Sequence, residues 1–251
     1  MTARLVVIPA PRAHSNHAAI ARAIGAGIIS GRYPEGERLP GDAELIAQFD
    51  VSRPVLRESV KTLVAKGLLT TKARVGTVVR ERAAWNMFDA DVLAWHLDAG
   101  VNRRFLRDLA EIRLAVEPRA AALAAERRSA LDLAAMRNAV DRMAREPGGA
   151  PGFADADLDL HLAVAAASGN AFMRSIGAVI EAALRASFAL SAPADARDHA
   201  IVLAAHERIV EAVDQHNGEA ASAAMTTVIF NGLRRHGAAT IAPCFDASHG
   251  R

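Results

Sequence analysis

Residues 49–69, FDVSRPVLRESVKTLVAKGLL, constrain this 251-residue chain more than any other stretch. Ser52 is a good helix N-cap, and Pro54 falls in the first turn, where its missing N–H costs nothing. The helix opened here runs to about Lys66, and Gly67 ends it. One face carries Leu56, Val60, Leu63 and Val64; another carries Arg53, Arg57 and Lys61. A helix divided in this way needs an apolar neighbour behind its greasy stripe.

The flanking sequence supplies that neighbour. Ile20, Ile24 and Ile28 form a stripe at i, i+4, i+8 and predict a helix over residues 17–30. Gly31 and Pro34-Glu35-Gly36 end it with turn chemistry. A second helix is expected at about 41–48, with Leu45 and Ile46 on its buried side. Glu44 stands where a capping carboxylate would reach back to Gly41. After the third helix, the β-prone runs 68–71 and 77–79 flank the basic tip Lys72-Ala73-Arg74-Val75-Gly76, which reads as a hairpin. Helix, helix, turn, helix, hairpin is a winged helix-turn-helix. It covers residues 14–82, with the helix-turn-helix at about 42–61 and the wing at 68–79.

Residues 83–102 form a junction helix or linker. It holds Trp85, Phe88, Val92, Trp95 and Leu97, expected to lock two domains together. From residue 103 to about 240 the pattern is helical throughout, with helices at 103–126, 129–145, 153–168, 171–191, 196–216 and 218–239. Six helices with short connections imply an antiparallel bundle. The expected fold is mainly α: an N-terminal winged helix-turn-helix plus a C-terminal antiparallel all-helical bundle. Abundant alanine and only 4% aromatic residues agree with a helical chain.

Charge is divided between the two parts. Residues 1–82 hold thirteen Lys/Arg against seven Asp/Glu, and the remainder holds seventeen against twenty-one. A basic head on a mildly acidic body fits a polyanion-binding module joined to something else. Cys244 is the only cysteine, so no intrachain disulfide forms. No apolar run reaches membrane-spanning length. The expected setting is cytoplasmic, with no membrane contact.

Major-groove recognition needs donors along one helix face. Arg53 is placed to reach a base edge, Ser52 and the free N–H groups around it suit a phosphate, and Arg57 suits either. Lys61 lies farther along, toward the backbone. On the wing, Lys72 and Arg74 would follow the backbone or enter the minor groove, and Gly76 allows a tight turn. With Val55 and Thr77, these residues are the expected DNA-binding set. A two-fold symmetric double-stranded operator and a homodimer follow from how such modules dock.

RYPEGERLPGDAELIAQFDVSRPVLRESVKTLVAKGLLTTKARVGTVV resembles the N-terminal domain of GntR-family bacterial repressors. The motifs are P-x-G-x-x-L-P, V-S-R-x-x-L-R-E, G-L-L and the wing's R-x-G-T. The position commonly held by a DNA-contacting arginine in that family is Ala43 here. The helical remainder resembles the FadR subfamily with its FCD effector-binding domain. The matching residues are Arg113 and Glu117, Asp157 and His161, Ser168-Gly169-Asn170, and His206 to Ala212. The junction looks most like that of sugar-acid regulators of the galactonate type.

The resemblance implies a divalent metal held by Asp157, His161 and His206, with zinc favoured over nickel or manganese. Asp157 and His161 are four apart and share a helix face. The usual fourth ligand, a histidine on the last helix, aligns with Val228, which cannot coordinate. His199 is a candidate substitute. Arg113 is expected to grip the carboxylate of a small effector, with Glu117 and Asn170 beside it. The implied function is a repressor of a sugar-acid catabolic operon, released by such a carboxylate. Two rivals are a metal-dependent enzyme acting on a small acid and an effector-independent DNA binder. The chain has no nucleophile elbow, phosphate loop or H-E-x-x-H, so a non-enzyme is expected.

Overall fold

A computed structural model describes residues 16–100, 103–147, 150–191 and 195–235. Cys244 and the predicted domain limits at 14 and 240 lie outside the described residues. The chain divides into two compact units, residues 1–100 and 101–251.

The first unit opens with α1 (Asn16–Ile29), α2 (Asp42–Phe49) and α3 (Arg53–Ala65). Leu56 and Leu63 of α3 are fully buried against the Ile20, Ile24 and Leu45 side chains, as the apolar stripe requires. Val64, expected on that stripe, is instead 37% exposed. No side chain caps α2, so Glu44 does not close the anticipated capping box. The C-terminus of α3 is a Schellman motif: Leu68 N donates to Leu63 O and Gly67 N to Val64 O. Gly67 has φ 81°, and a Cβ there would meet Ala84 O at 2.3 Å. The residue is therefore required for conformation and for space.

Strands β1 (Leu69–Lys72) and β2 (Gly76–Val79) pair antiparallel, from Leu69↔Val79 to Lys72↔Gly76. Arg38 adds a bridge to Val78 on the other edge of β2. Helix α4 (Ala90–Asp98) then starts at Asp89, whose carboxylate accepts from Asp91 N and Val92 N. The same carboxylate accepts from Lys66 Nζ at 2.7 and 2.8 Å, tying the end of α3 to the start of α4. Three of the large side chains expected to lock two domains together lie in this unit's own interior. Trp85, Val92 and Trp95 pack in its core, while Phe88 is 59% exposed.

The second unit is built on α5 (Arg103–Arg127), which packs against α7 (Pro151–Ala167), α9 (Gly177–Ser191), α10 (Ala196–Asp214) and α11 (Gly218–Arg235). Helix α6 (Ala130–Arg145) begins with a full Ser129–Asp132 capping box and packs on α7. The helix expected over 171–191 is two: α8 (Ala171–Ser175), then α9 after a break at Ile176. At the break Gly177 sits where a Cβ would be 3.0 Å from Leu162, so the chain approaches α7 closely. Alanines of α5 and the Met136, Met143, Phe153 and Leu160 side chains fill the core. No helix among the described residues is long and apolar enough to cross a membrane.

Trp95 leaves no room above Gly25, where a Cβ would fall 2.3 Å from its ring. Gly25→Val should destabilise the first unit by roughly 1–3 kcal/mol through overpacking. Urea denaturation followed by tryptophan fluorescence checks this; an unchanged midpoint would show that Trp95 moves aside freely.

Candidate DNA-binding face and buried ligand site

The third helix presents the polar half of its sequence to solvent. Ser52 occupies the N-cap position with extended geometry (φ −77°, ψ 155°), yet its hydroxyl makes no cap hydrogen bond. Arg53 and Arg57 are exposed, and among the described residues neither makes an ion pair or side-chain hydrogen bond. Lys61 is also exposed but pairs with Glu58 at 2.8 Å, so the lysine expected on phosphate has an internal partner. Val55 is half-buried and packs against the core, which limits what it can offer a base edge.

On the wing, Lys72, Arg74 and Gly76 are exposed and Thr77 is half-buried. Arg74 at the tip has φ 65° and Gly76 has φ 102°. A Cβ on Gly76 would approach Arg38 Nη2 to 3.2 Å. Arg38 is a residue that sequence reasoning missed. Its guanidinium lies against the wing, where it adds an exposed cation beside Lys72 and Arg74. The available signal was the arginine just before Leu39-Pro40, but only the bridge to Val78 shows that it belongs with the hairpin.

In the second unit the anticipated ligands converge. Asp157 and His161 project from successive turns of α7, and His206 comes from α10; one ligand atom from each lies within 4.8 Å of the others. Arg113 and Glu117 of α5 stand beside them, and all five are buried. Buried polar groups need partners. His161 Nδ1 donates to Glu117 Oε2, and His206 Nδ1 donates to Val202 O at 2.7 Å. Each imidazole therefore leaves an Nε2 lone pair pointing inward, the arrangement that orients metal-binding histidines. His206 Nε2 approaches Asp157 Oδ1 to 2.7 Å, and His161 Nε2 lies 3.6 Å from the same oxygen.

The 2.7 Å approach has the length of an ion pair but not the angles of a hydrogen bond, and both atoms are buried without a hydrogen-bond partner. With Nδ1 as the donor and Nε2 unprotonated, they are two acceptors facing one another. A cation shared between them, a proton or a metal ion, resolves that conflict. Around zinc, tetrahedral ligand atoms at about 2.0 Å bonds sit about 3.3 Å apart. The longer spacing fits as it stands, and the shorter would open on binding.

Two anticipated contributors do not join the cluster. His199 Nε2 contacts Met143 O at 3.1 Å and its ring stands edge-on to Phe153, so it does not substitute for the missing ligand. Val228 is buried in the apolar core. Asn170 is the N-cap of α8, its side-chain oxygen accepting from Phe172 N and Met173 N, so that oxygen is committed to the helix rather than to an effector.

Arg113 Nε donates to Glu117 Oε1 at 2.5 Å, and Arg113 Nη2 reaches His161 Nε2 at 3.4 Å. Burial raises the Glu117 carboxyl pKa, but Arg113, first by its charge, and the hydrogen bonds from His161 and Arg113 outweigh it and hold the group at about 2. Burial likewise opposes ionisation of Asp157; in the metal-free protein the charge and hydrogen bond of a His206 that holds a proton on Nε2, then His161 and Arg113, overcome it to give about 2.

This combination defines a two-part transcriptional regulator: a winged DNA-binding head and a helical domain with a buried polar site. The pattern of the bacterial regulatory proteins of the gntR family matches residues 16–79, and that of the FCD domain matches residues 108–231. The Galactonate operon transcriptional repressor of Escherichia coli K12 is 33% identical over 212 residues, covering 84% of this chain and 93% of the relative. LutR, an HTH-type transcriptional regulator of Bacillus subtilis 168, is 30% identical over 211 residues, covering 81% and 93%. A solved structure of Lar, which controls expression of the Listeria monocytogenes agr system, shares the fold with TM-score 0.63 at 17% identity, covering 90% and 98%. The chain belongs to the GntR family and carries an FCD domain. It is a DNA-binding regulator and not an enzyme.

Both carboxyls have folded-state values depressed from 4.5 and 3.8 to about 2. Such groups stabilise the fold above their ordinary range, and the contribution disappears as pH falls through the folded value. The metal-free protein should lose stability between about pH 4.5 and 2. Each group contributes a slope of at most about 1.4 kcal/mol per pH unit. Urea midpoints across that range should fall less steeply in Glu117→Gln; an identical slope would contradict the ionised pair.

Proposed function

We propose that the chain represses a sugar-acid catabolic operon as a homodimer on a two-fold symmetric operator, and that a small carboxylate releases it. In this reading Arg53 reads a base edge, Ser52 and the α3 N-terminus hold a phosphate, and Arg57 contacts base or backbone. Lys72, Arg74 and Arg38 follow the backbone at the wing. The same reading places a divalent metal, zinc for preference, on Asp157, His161 and His206. When bound, such an ion supplies a Lewis-acid position for effector oxygens. Arg113 receives the effector carboxylate, because a guanidinium matches a carboxylate with two parallel hydrogen bonds.

The observation that carries the sensing half is the pair of bare acceptors, Asp157 Oδ1 and His206 Nε2, facing each other beside a buried arginine. The sugar-acid class draws its support from the similarity to the galactonate repressor. An effector shifts the DNA-binding equilibrium only through unequal affinity for the two states.

Arg53→Ala should lose about ten- to hundredfold in preference for the operator over unrelated DNA. Lys72→Ala should weaken both alike and lower the slope of log affinity against log salt by about one. Fluorescence anisotropy at several salt concentrations separates the two; unchanged specificity in Arg53→Ala would remove α3 as the reading helix. In the same assay, galactonate, other hexonates, lactate and dicarboxylates are to be added with and without chelator. Release by at least one acid, abolished by the chelator, is expected. Operator binding indifferent to every acid would replace the sensor by an effector-independent binder.

A further inference from the structure

The mutual position of Arg113 and His161 carries one more inference, which rests on reading Asp157, His161 and His206 as a metal site. His161 Nδ1 is taken by Glu117, so Nε2 holds the ring's one available lone pair. Arg113 Nη2 lies 3.4 Å from that nitrogen. A guanidinium only donates hydrogen bonds, so the contact consumes the lone pair a metal needs. The lone pair serves one partner at a time.

We propose that Arg113 is an internal plug of the metal site: its guanidinium and a divalent metal compete for His161 Nε2, so loading the metal frees Arg113 to bind an anion. The geometry permits the exchange without unpairing the arginine. Nε stays anchored on Glu117 Oε1 at 2.5 Å, and Nη2, which also reaches Glu117 Oε2 at 3.5 Å, gives up only its contact with His161 Nε2. The space next to Arg113 is a cleft whose other walls include Leu106, Leu109, Ala110, Ala183, Ile229 and Leu233. Those walls offer no acceptor side chain, so Nη2 displaced from His161 keeps only a long 3.5 Å contact with Glu117 Oε2 and has donor capacity left for an incoming carboxylate.

Linkage then makes the effect reciprocal. Metal raises carboxylate affinity by the factor that carboxylate raises metal affinity. Arg113 also makes the empty site tolerable, because it supplies hydrogen-bond donors to His161 and Glu117 when no ion is bound.

Zinc affinity, measured by competition with a chromophoric chelator on the full-length wild type, Arg113→Lys and His206→Ala, tests the plug. Lysine keeps the charge beside Glu117 but lacks the forked second nitrogen. Arg113→Lys should bind zinc about tenfold tighter than wild type, the size of one modest hydrogen bond. His206→Ala should lose zinc. The second measurement uses the wild type alone: in 15N NMR, one equivalent of zinc should shift the Arg113 guanidinium and His161 ring signals together. Equal or weaker zinc binding by Arg113→Lys, or Arg113 signals that stay in place on zinc addition, overturns the plug while leaving the metal site standing. Full zinc affinity in His206→Ala, or no zinc binding by wild type and Arg113→Lys alike, overturns the metal site and the plug with it.

Discussion

An aspartate and two imidazoles buried in an alanine- and methionine-filled bundle are the constraint around which the second unit is organised. Unsatisfied, such groups cost several kcal/mol each. The bundle meets most of that demand from its own side chains. Glu117 and the Val202 carbonyl take the two Nδ1 protons, and Arg113 neutralises Glu117. What stays unmet is one oxygen and one nitrogen at 2.7 Å, with both lone pairs turned toward the same point. Three helices supply the cluster: α7 brings ligands one turn apart, α10 brings the third, and α5 supplies the residues that hold His161.

The first unit solves the opposite problem, keeping cations free rather than burying acceptors. Leu56 and Leu63 anchor the back of α3, the Schellman turn at Gly67 fixes where it stops, and Lys66 fastens that end to Asp89. The lysine at the anchored end is paired, whereas Arg53 and Arg57 at the other end are not. Charges without an internal partner on a rigidly held helix are ready for a polyanion, because binding then needs no ion pair to be broken. The wing repeats the arrangement with Arg38, Lys72 and Arg74 on a two-stranded scaffold.

The helix-turn-helix and hairpin were legible because their signals are local: Ser52-Arg53-Pro54 for a start, Gly67 for a stop, alternation around a basic tip for the strands. The helices of the second unit were legible from period and breaks. Less legible was whatever depended on neighbours distant in sequence. The α8–α9 break depends on how near Gly177 comes to Leu162, and the fate of Trp85 and Trp95 depends on a core assembled from α1 and α3. Lys61 has the same composition on either reading; only the 2.8 Å contact with Glu58 shows it paired. In the buried site, the i, i+4 spacing found Asp157 and His161, and the family pattern found His206. Neither revealed that Glu117 is a hydrogen-bond acceptor for His161, that Asn170 is a helix cap, or that His199 faces Met143 and Phe153.

Whether the three residues hold a metal is measured most directly by anomalous diffraction from crystals of the full-length protein grown with zinc, recorded on both sides of the zinc absorption edge. One peak per chain is expected, bonded to Asp157 Oδ1 and to the Nε2 atoms of His161 and His206, with the fourth position left to solvent or an anion because Val228 offers none. No peak among these three residues, or a peak only at surface histidines, would contradict it.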